Sequence, residues 1–266
     1  MNASGIITLT TDFGHKGPFT AVMKGVILGR FPAARVIDMG HDIPAQWPPE
    51  AGFWVSRAYS YFPKGTVHLA IVDPGVGTER DILMVETDGH AFLAPDNGLL
   101  GPLLDRADQA TVFHVDADRL ASIKVSEPSA TFHGRDIFAP IAAELASGRI
   151  GLGDLGKPIS DWIPGWVDDP VPAGNRVAGS IVTVDTFGNL ISNIDASMVG
   201  DFRQPVVSIG QRELPMRQTY GRAAPGDYLA LVNSFGVIEV ARAEGDAAEG
   251  LGLGRGAPIT VIEKSG

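Results

Sequence analysis

The chain has 266 residues, 44% hydrophobic and 20% charged, a composition that suits an ordinary globular protein large enough for two cores. It has no cysteine, which excludes disulfides, thiolate metal sites and a cysteine nucleophile. The formal net charge is −10, with Lys and Arg scattered rather than clustered, which argues against nucleic acid as a partner and for solubility.

The first expected strand is Ile6-Ile7-Thr8-Leu9-Thr10-Thr11, stopping at Asp12-Phe13-Gly14. A helix follows around Pro18 to Arg30, with Val22, Val26, Ile27 and Phe31 at helical spacing. Arg35 to Asp38 reads as a strand, Ala51 to Tyr61 as a helix, and Val67 to Val72 as a third strand ending at Asp73-Pro74-Gly75. Such alternation implies a largely parallel sheet covered on both faces, where ligands sit just past the strand C-termini. Asp12 and Asp73 both occupy that place. Ile82 to Val85 and Ala91 to Ala94 form an expected hairpin around Asp88-Gly89, Pro95 to Gly98 a tight turn, and about Ile137 to Ser147 a helix.

Near residue 160 the texture changes. Pro164, Pro170 and Pro172 lie among Asp161, Asp168 and Asp169, which reads as a linker. Short strands follow at barrel-like intervals: 179–184, 205–209, 228–232, 237–241 and 258–262. The expected fold class is therefore α/β. A three-layer αβα domain with a mostly parallel sheet spans 1–160, a linker 161–176, and an antiparallel β-barrel-like domain 177–266. No apolar run approaches the roughly 18 residues of a membrane span. Met1 to Leu9 has no basic stretch leading into a long apolar one, so no signal peptide is expected.

Five constellations carry polar chemistry. Asp12, at the end of the first strand, can accept two hydroxyl hydrogen bonds such as a ribose offers, or cap the following helix. Asp73 and Arg80 can pair across the glycine turn of Val72 to Arg80, as a working pair or as a loop clamp. His133 precedes a helix, whose N-terminus disfavours imidazolium; a neutral ring there can orient or deprotonate a water, or be a buried structural histidine. Arg135-Asp136 reads as a capping and packing pair. Asp185 and Asn189 flank Phe187 at a strand end, suited to an ammonium and a base edge, or to an Asx-rich turn with Phe187 plugging the core. Ser234, beside a glycine turn, can bind a carboxylate. His15, His41, His68, His90 and His114 lack paired metal spacing, and neither HExxH, a P-loop nor GxSxG is present, so no metal is expected.

In this order, TTDFG at 10–14, VDPGVGTER at 72–80, PDNGLL at 95–100, FHGRDIFAP at 132–140, DTFGNLISNI at 185–194 and NSFG at 233–236 resemble one family. It is that of the S-adenosylmethionine hydroxide adenosyltransferases, relatives of the bacterial fluorinase and chlorinase. The resemblance implies cleavage of S-adenosylmethionine by water at the ribose 5′-carbon, giving adenosine and methionine, with no cofactor. It implies a cytoplasmic homotrimer with each site between the N-domain of one subunit and the C-domain of its neighbour. By similarity, Asp12 would hold the ribose hydroxyls and Trp47 would line the site near the reacting carbon. Asp185 would bind the ammonium, Ser234 the carboxylate and Asn189 the adenine edge, with Phe187 and Tyr220 as apolar walls. Asp73, Arg80 and His133 match the water-positioning triad. Phe235 stands where the fluorinase has an arginine, which moves carboxylate binding onto Ser234 and backbone amides. A chlorinase and a non-catalytic S-adenosylmethionine or adenosine binder are the alternatives.

Overall fold

The computed structural model describes residues 1–264 and separates into two compact units, Met1–Trp166 and a second beginning at Val167. Residues 265–266, the end of the expected second domain, lie outside the described residues.

The first unit is built on seven strands: β1 (Ile6–Thr11), β2 (Arg35–Gly40), β3 (Val67–Ile71), β4 (Ile82–Thr87), β5 (His90–Pro95), β6 (Ala110–Val115) and β7 (Gly156–Ile159). Their order across the sheet is β2-β1-β3-β5-β4-β6-β7. The sheet is mixed. Three of its six pairings, β1 with β2, β1 with β3 and β3 with β5, are parallel, as alternating strands and helices require. The rest is antiparallel because β4 and β5 form a hairpin. Its two turn residues, Asp88 and Gly89, both have positive φ (51° and 81°), which matches the turn to the strand twist.

Helices cover both faces. Helices α1 (Phe19–Arg30) and α4 (Ala139–Ala146) bury Met23, Ile27, Ile141 and Leu145 against Ile7, Leu9 and Leu69. Helices α2 (Pro48–Ala58) and α3 (Gly101–Leu104) bury Ala51, Val55 and Leu103 against Ala70, Val85 and Phe92 on the opposite face. Adjacent residues of β3, Leu69 and Ala70, enter different clusters, as the two-residue period of a strand dictates. A short helix, α5 (Leu152–Leu155), leads into β7.

The second unit holds β8 (Val171–Ala173), β9 (Arg176–Val184), β10 (Leu190–Asp195), β11 (Pro205–Ile209), β12 (Arg212–Pro215), β13 (Tyr228–Val232), β14 (Val237–Arg242), helix α6 (Ala247–Leu251) and β15 (Pro258–Glu263). The order β12-β11-β15-β9-β10-β14-β13 is antiparallel throughout. A bridge from Met216 to Ala230, with Arg217 N donating to Ala230 O at 2.8 Å, nearly closes it into a barrel. Ile181, Val207, Ile238, Val240 and Val261 fill its core. β8 carries Pro172 and pairs only with β9, the edge position that tolerates a missing N–H. No helix among the described residues is long and apolar enough to cross a membrane.

Candidate active site

Asp73 lies two residues past the end of β3. Asn97, in the turn after β5, donates from Nδ2 to Val72 O at 2.8 Å and fixes the backbone next to it. The chain then folds back: Val76 N bonds Asp73 O at 3.3 Å, and Thr78 Oγ1 bonds Gly75 O at 2.6 Å. Gly77 makes the sharpest part of the turn at φ 77°, where a Cβ would lie 2.1 Å from Ala130 O. The turn thus rests directly on the segment that carries His133.

This fold-back delivers Arg80 onto Asp73. Arg80 Nε donates to Oδ1 at 3.1 Å and to Oδ2 at 2.9 Å, and Nη2 adds a short bond to Oδ2. The same Nη2 lies 3.0 Å from His133 Nδ1. The Arg80 and Asp73 side chains are 9% and 5% exposed, so little solvent screens the pair. Beneath it, the Arg80 guanidinium sits 5.4 Å from the ring centroid of the fully buried Phe138.

His133 immediately precedes a wide π-type turn, Gly134–Phe138, that runs straight into α4. One turn therefore supplies both the imidazole at its head and the aromatic ring under Arg80 at its foot. The His133 pKa is pushed down, first by burial and second by Arg80, against weaker opposite pulls from Asp73 and Asp136. Burial and a neighbouring cation thus act in the same direction as the helix terminus expected from sequence, which the structure places at the head of the turn leading into α4. Arg135 and Asp136 form an ion pair, with Arg135 Nε 2.6 Å from Asp136 Oδ1. Asp136 Oδ2 also accepts from Ser129 N at 2.9 Å and pins the approach to the turn.

Asp12 follows β1. It does not cap α1, which starts after Pro18 with no side-chain cap; its Oδ2 accepts from Gln46 N at 2.9 Å. Below it, the buried His41 holds Thr11 Oγ1 through Nδ1 at 2.9 Å and accepts Gly14 N on its carbonyl at 2.8 Å. Asp12, Asp73 and His133 line one cleft of 430 Å³, a volume suited to a small molecule. Phe13, Phe19 and Phe132 form its apolar wall, their rings meeting at 5.6–6.1 Å. Trp47 packs edge-on against Trp166 at 5.8 Å and is not among the residues lining this cleft.

The remaining expected residues belong to the second unit. Asp185 Oδ1 accepts from Phe187 N and Asn189 N, both at 2.9 Å, and Oδ2 from Asn189 Nδ2 at 3.0 Å. This is an Asx turn that leaves Phe187 78% exposed rather than plugging the core. Asn189 is buried, with Oδ1 and one N–H beyond its bond to Asp185. Tyr220 is 46% exposed, and its Oη donates to Glu239 at 2.7 Å. Ser234 is exposed at the tip of the turn joining β13 to β14, and Phe235 N donates to Asn233 Oδ1 at 2.9 Å.

Asn97, Phe138, His41 and Glu239 escaped sequence reasoning. Glu239 alone left a local signal, a single acid inside the apolar run Val237-Ile238-Glu239-Val240-Ala241.

Comparison with known proteins identifies the family. Residues 7–156 match the profile of the SAM hydroxide adenosyltransferase N-terminal domain, and residues 179–260 that of its C-terminal domain. The (R)-S-adenosyl-L-methionine hydrolase of Thermus thermophilus is 37% identical over 95% of this chain and 97% of its own. The enzyme of the same name from Salinispora tropica is 35% identical over 96% and 97%. A fluorinase from an Actinoplanes species is 26% identical over 98% and 99%. Among solved structures, an uncharacterized conserved protein from Thermotoga maritima superposes with a TM-score of 0.86 at 32% identity, covering 96% of this chain and 99% of that one.

Proposed function

The chain belongs to the SAM hydroxide adenosyltransferase family, and from that premise we propose that it hydrolyses S-adenosyl-L-methionine to adenosine and L-methionine. One observation carries the reading: Arg80 joins the Asp73 carboxylate to His133 Nδ1 on the wall of a cleft that Asp12 also lines.

A guanidinium has only donors, so His133 Nδ1 accepts from Arg80, and the proton of the neutral ring sits on Nε2. His133 then presents an N–H, which orients a water oxygen. Arg80 occupies one acceptor position on Asp73 Oδ1 and two on Oδ2, which leaves Oδ1 with capacity to receive a proton. In the proposed step the water oxygen attacks the ribose 5′-carbon in line with the sulfur. The C5′–O bond forms as the C5′–S bond breaks. The bonding pair leaves on sulfur, giving neutral methionine thioether, and the water proton passes to Asp73. The leaving group needs no acid, so the protein's work is to poise one water and hold the reacting atoms in line.

Asp12 would grip the ribose hydroxyls. Asp185 and Ser234 would take the ammonium and carboxylate, with Asn189, Phe187 and Tyr220 around the adenine. The exposure of Phe187 and Tyr220 in a single chain supports a homotrimer in which a neighbouring subunit covers them. A cysteine-free enzyme acting on a metabolite suits the cytoplasm. The carboxylate of Asp73 on the cleft wall disfavours a halide nucleophile by like-charge repulsion.

Turnover in heavy-oxygen water, with and without concentrated sodium chloride, tests the reading by mass spectrometry of the nucleoside. Adenosine carrying one heavy oxygen, formed equally without chloride and lost in Asp73→Asn, is the expected result. A 5′-chloronucleoside that requires salt, or turnover unchanged in Asp73→Asn, refutes it.

A further inference from the structure

Glu239 stands at the middle of β14, opposite Leu231 of β13 and Ile191 of β10. Its neighbours Ile238 and Val240 point into the barrel core, so Glu239 lies on the other face, the one that carries Ala241 with Leu229 and Leu231. It is 3% exposed. A carboxyl buried among apolar side chains is destabilising unless each oxygen finds a donor. Both do: Oε1 accepts from Tyr220 Oη at 2.7 Å and Oε2 from Asn233 Nδ2 at 3.2 Å.

The two donors lead to the proposed substrate-binding surface. Asn233 has its amide orientation fixed, because Oδ1 already accepts from Phe235 N at 2.9 Å and Val237 N at 3.3 Å. Nδ2 is therefore the end turned to Glu239, and the amide ties the carboxyl to the turn that displays Ser234. On the other side Tyr220 is tethered by its hydroxyl, with its ring left partly exposed. Burial pushes the Glu239 carboxyl up, and the nearby Asp185 adds to it, as it also does for the Tyr220 hydroxyl.

Resting on the hydrolase reading above, we infer that Glu239 is a positioning residue for substrate. It holds the Tyr220 wall and the Ser234 turn in one fixed arrangement, without touching the reacting atoms.

Isosteric and apolar replacements separate this role from general stability. A glutamine keeps the network: its carbonyl accepts from Asn233 while its amide donates to Tyr220 Oη, which turns from donor to acceptor. A leucine removes both bonds and leaves the half-buried Asn233 donor without its carboxylate partner. Expected for Glu239→Leu is a KM raised about tenfold with kcat nearly unchanged, the scale of one buried hydrogen bond lost from uniform binding. Glu239→Gln is expected to stay within about threefold of wild type. Tyr220→Phe, which deletes only the exposed partner's hydroxyl, should raise KM in the same direction and serves if Glu239→Leu fails to fold. A folded Glu239→Leu with wild-type KM, an equal fall in kcat and kcat/KM, or a Tyr220→Phe with unchanged KM overturns the inference. Calorimetric binding of S-adenosylmethionine repeats the comparison without turnover. A wild type that binds but never hydrolyses therefore defeats the hydrolase reading alone, while the variant affinities still decide for or against Glu239.

Discussion

Arg80 donates from Nη2 to Nδ1 of His133 at 3.0 Å, so the ring nitrogen that titrates is the one already occupied. Protonating His133 must break this bond and set two cations side by side. Burial and Arg80 both lower its pKa from the ordinary 6.5. We predict that kcat/KM is flat through neutrality and falls on the acid side with a midpoint below 6.5. A profile of kcat/KM from acid to neutral pH checks this; a midpoint above the ordinary histidine value contradicts it.

Arg80 serves both neighbours with one planar fork. Lysine keeps the charge but is a point donor on a flexible stem, and it does not reproduce the two-sided grip on Asp73 together with the reach to His133. Arg80→Lys should lower kcat by about a hundredfold, the lower end of what a positioned acid or base contributes. Because Asp12 and the second-unit residues are untouched, KM should change much less. Steady-state kinetics read both parameters, and a kcat within threefold of wild type would count against the bridge.

Gly77 is fixed by two independent constraints, a φ of 77° and the 2.1 Å approach of a built Cβ to Ala130 O. Gly77→Ala should destabilise the first unit by about 1–2 kcal/mol from the backbone conformation alone, with the overlap adding to it. It should also lower activity, by pushing the Asp73–Arg80 turn off the segment bearing His133. Denaturant melts with an unchanged slope and a lower midpoint are the expected signature.

His68 is buried at 1% exposure between Thr8, 2.8 Å from Nδ1, and His90, 3.2 Å from Nε2. Burial first, and His90 second, push its pKa down to about 3 from 6.5. Below 6.5 the unfolded chain takes up a proton that the folded protein refuses until near pH 3. Its contribution is thus complete above 6.5 and disappears as pH falls toward 3. His68→Gln should be less stable at neutral pH yet lose less of its Tm between pH 7 and 4. Parallel Tm curves for the two proteins would show that another group carries the acid response.

The parts of this molecule readable in advance are those that depend on neighbours in sequence. Strand ends placed Asp12 and Asp73, and glycines between Asp73 and Arg80 announced the fold-back, because a tight turn is a local event. The β4–β5 hairpin was announced by Asp88-Gly89, but that β5 rather than β4 joins β3, and that β6 and β7 extend the sheet antiparallel beyond β4, was not legible, since no local pattern decides which strand meets the existing edge. Phe138, Asn97 and His41 act across separations of 58, 25 and 30 residues, and no periodicity reports which distant side chain will arrive. Only part of what keeps His133 neutral was legible for the same reason: a helix end is visible in sequence, whereas desolvation by the fold and the approach of Arg80 are not.

The wide turn Gly134–Phe138 holds one more residue than an α-helical turn. Removing a single residue from it would restore ordinary helical winding and swing everything upstream by about 100° and about 1.5 Å along the axis. His133 would then face a different direction while α4 stayed packed in the core. On the role proposed for His133, function here is written partly as a length: a one-codon deletion that an exposed loop would absorb unnoticed would turn this ring away from Arg80 and silence the enzyme.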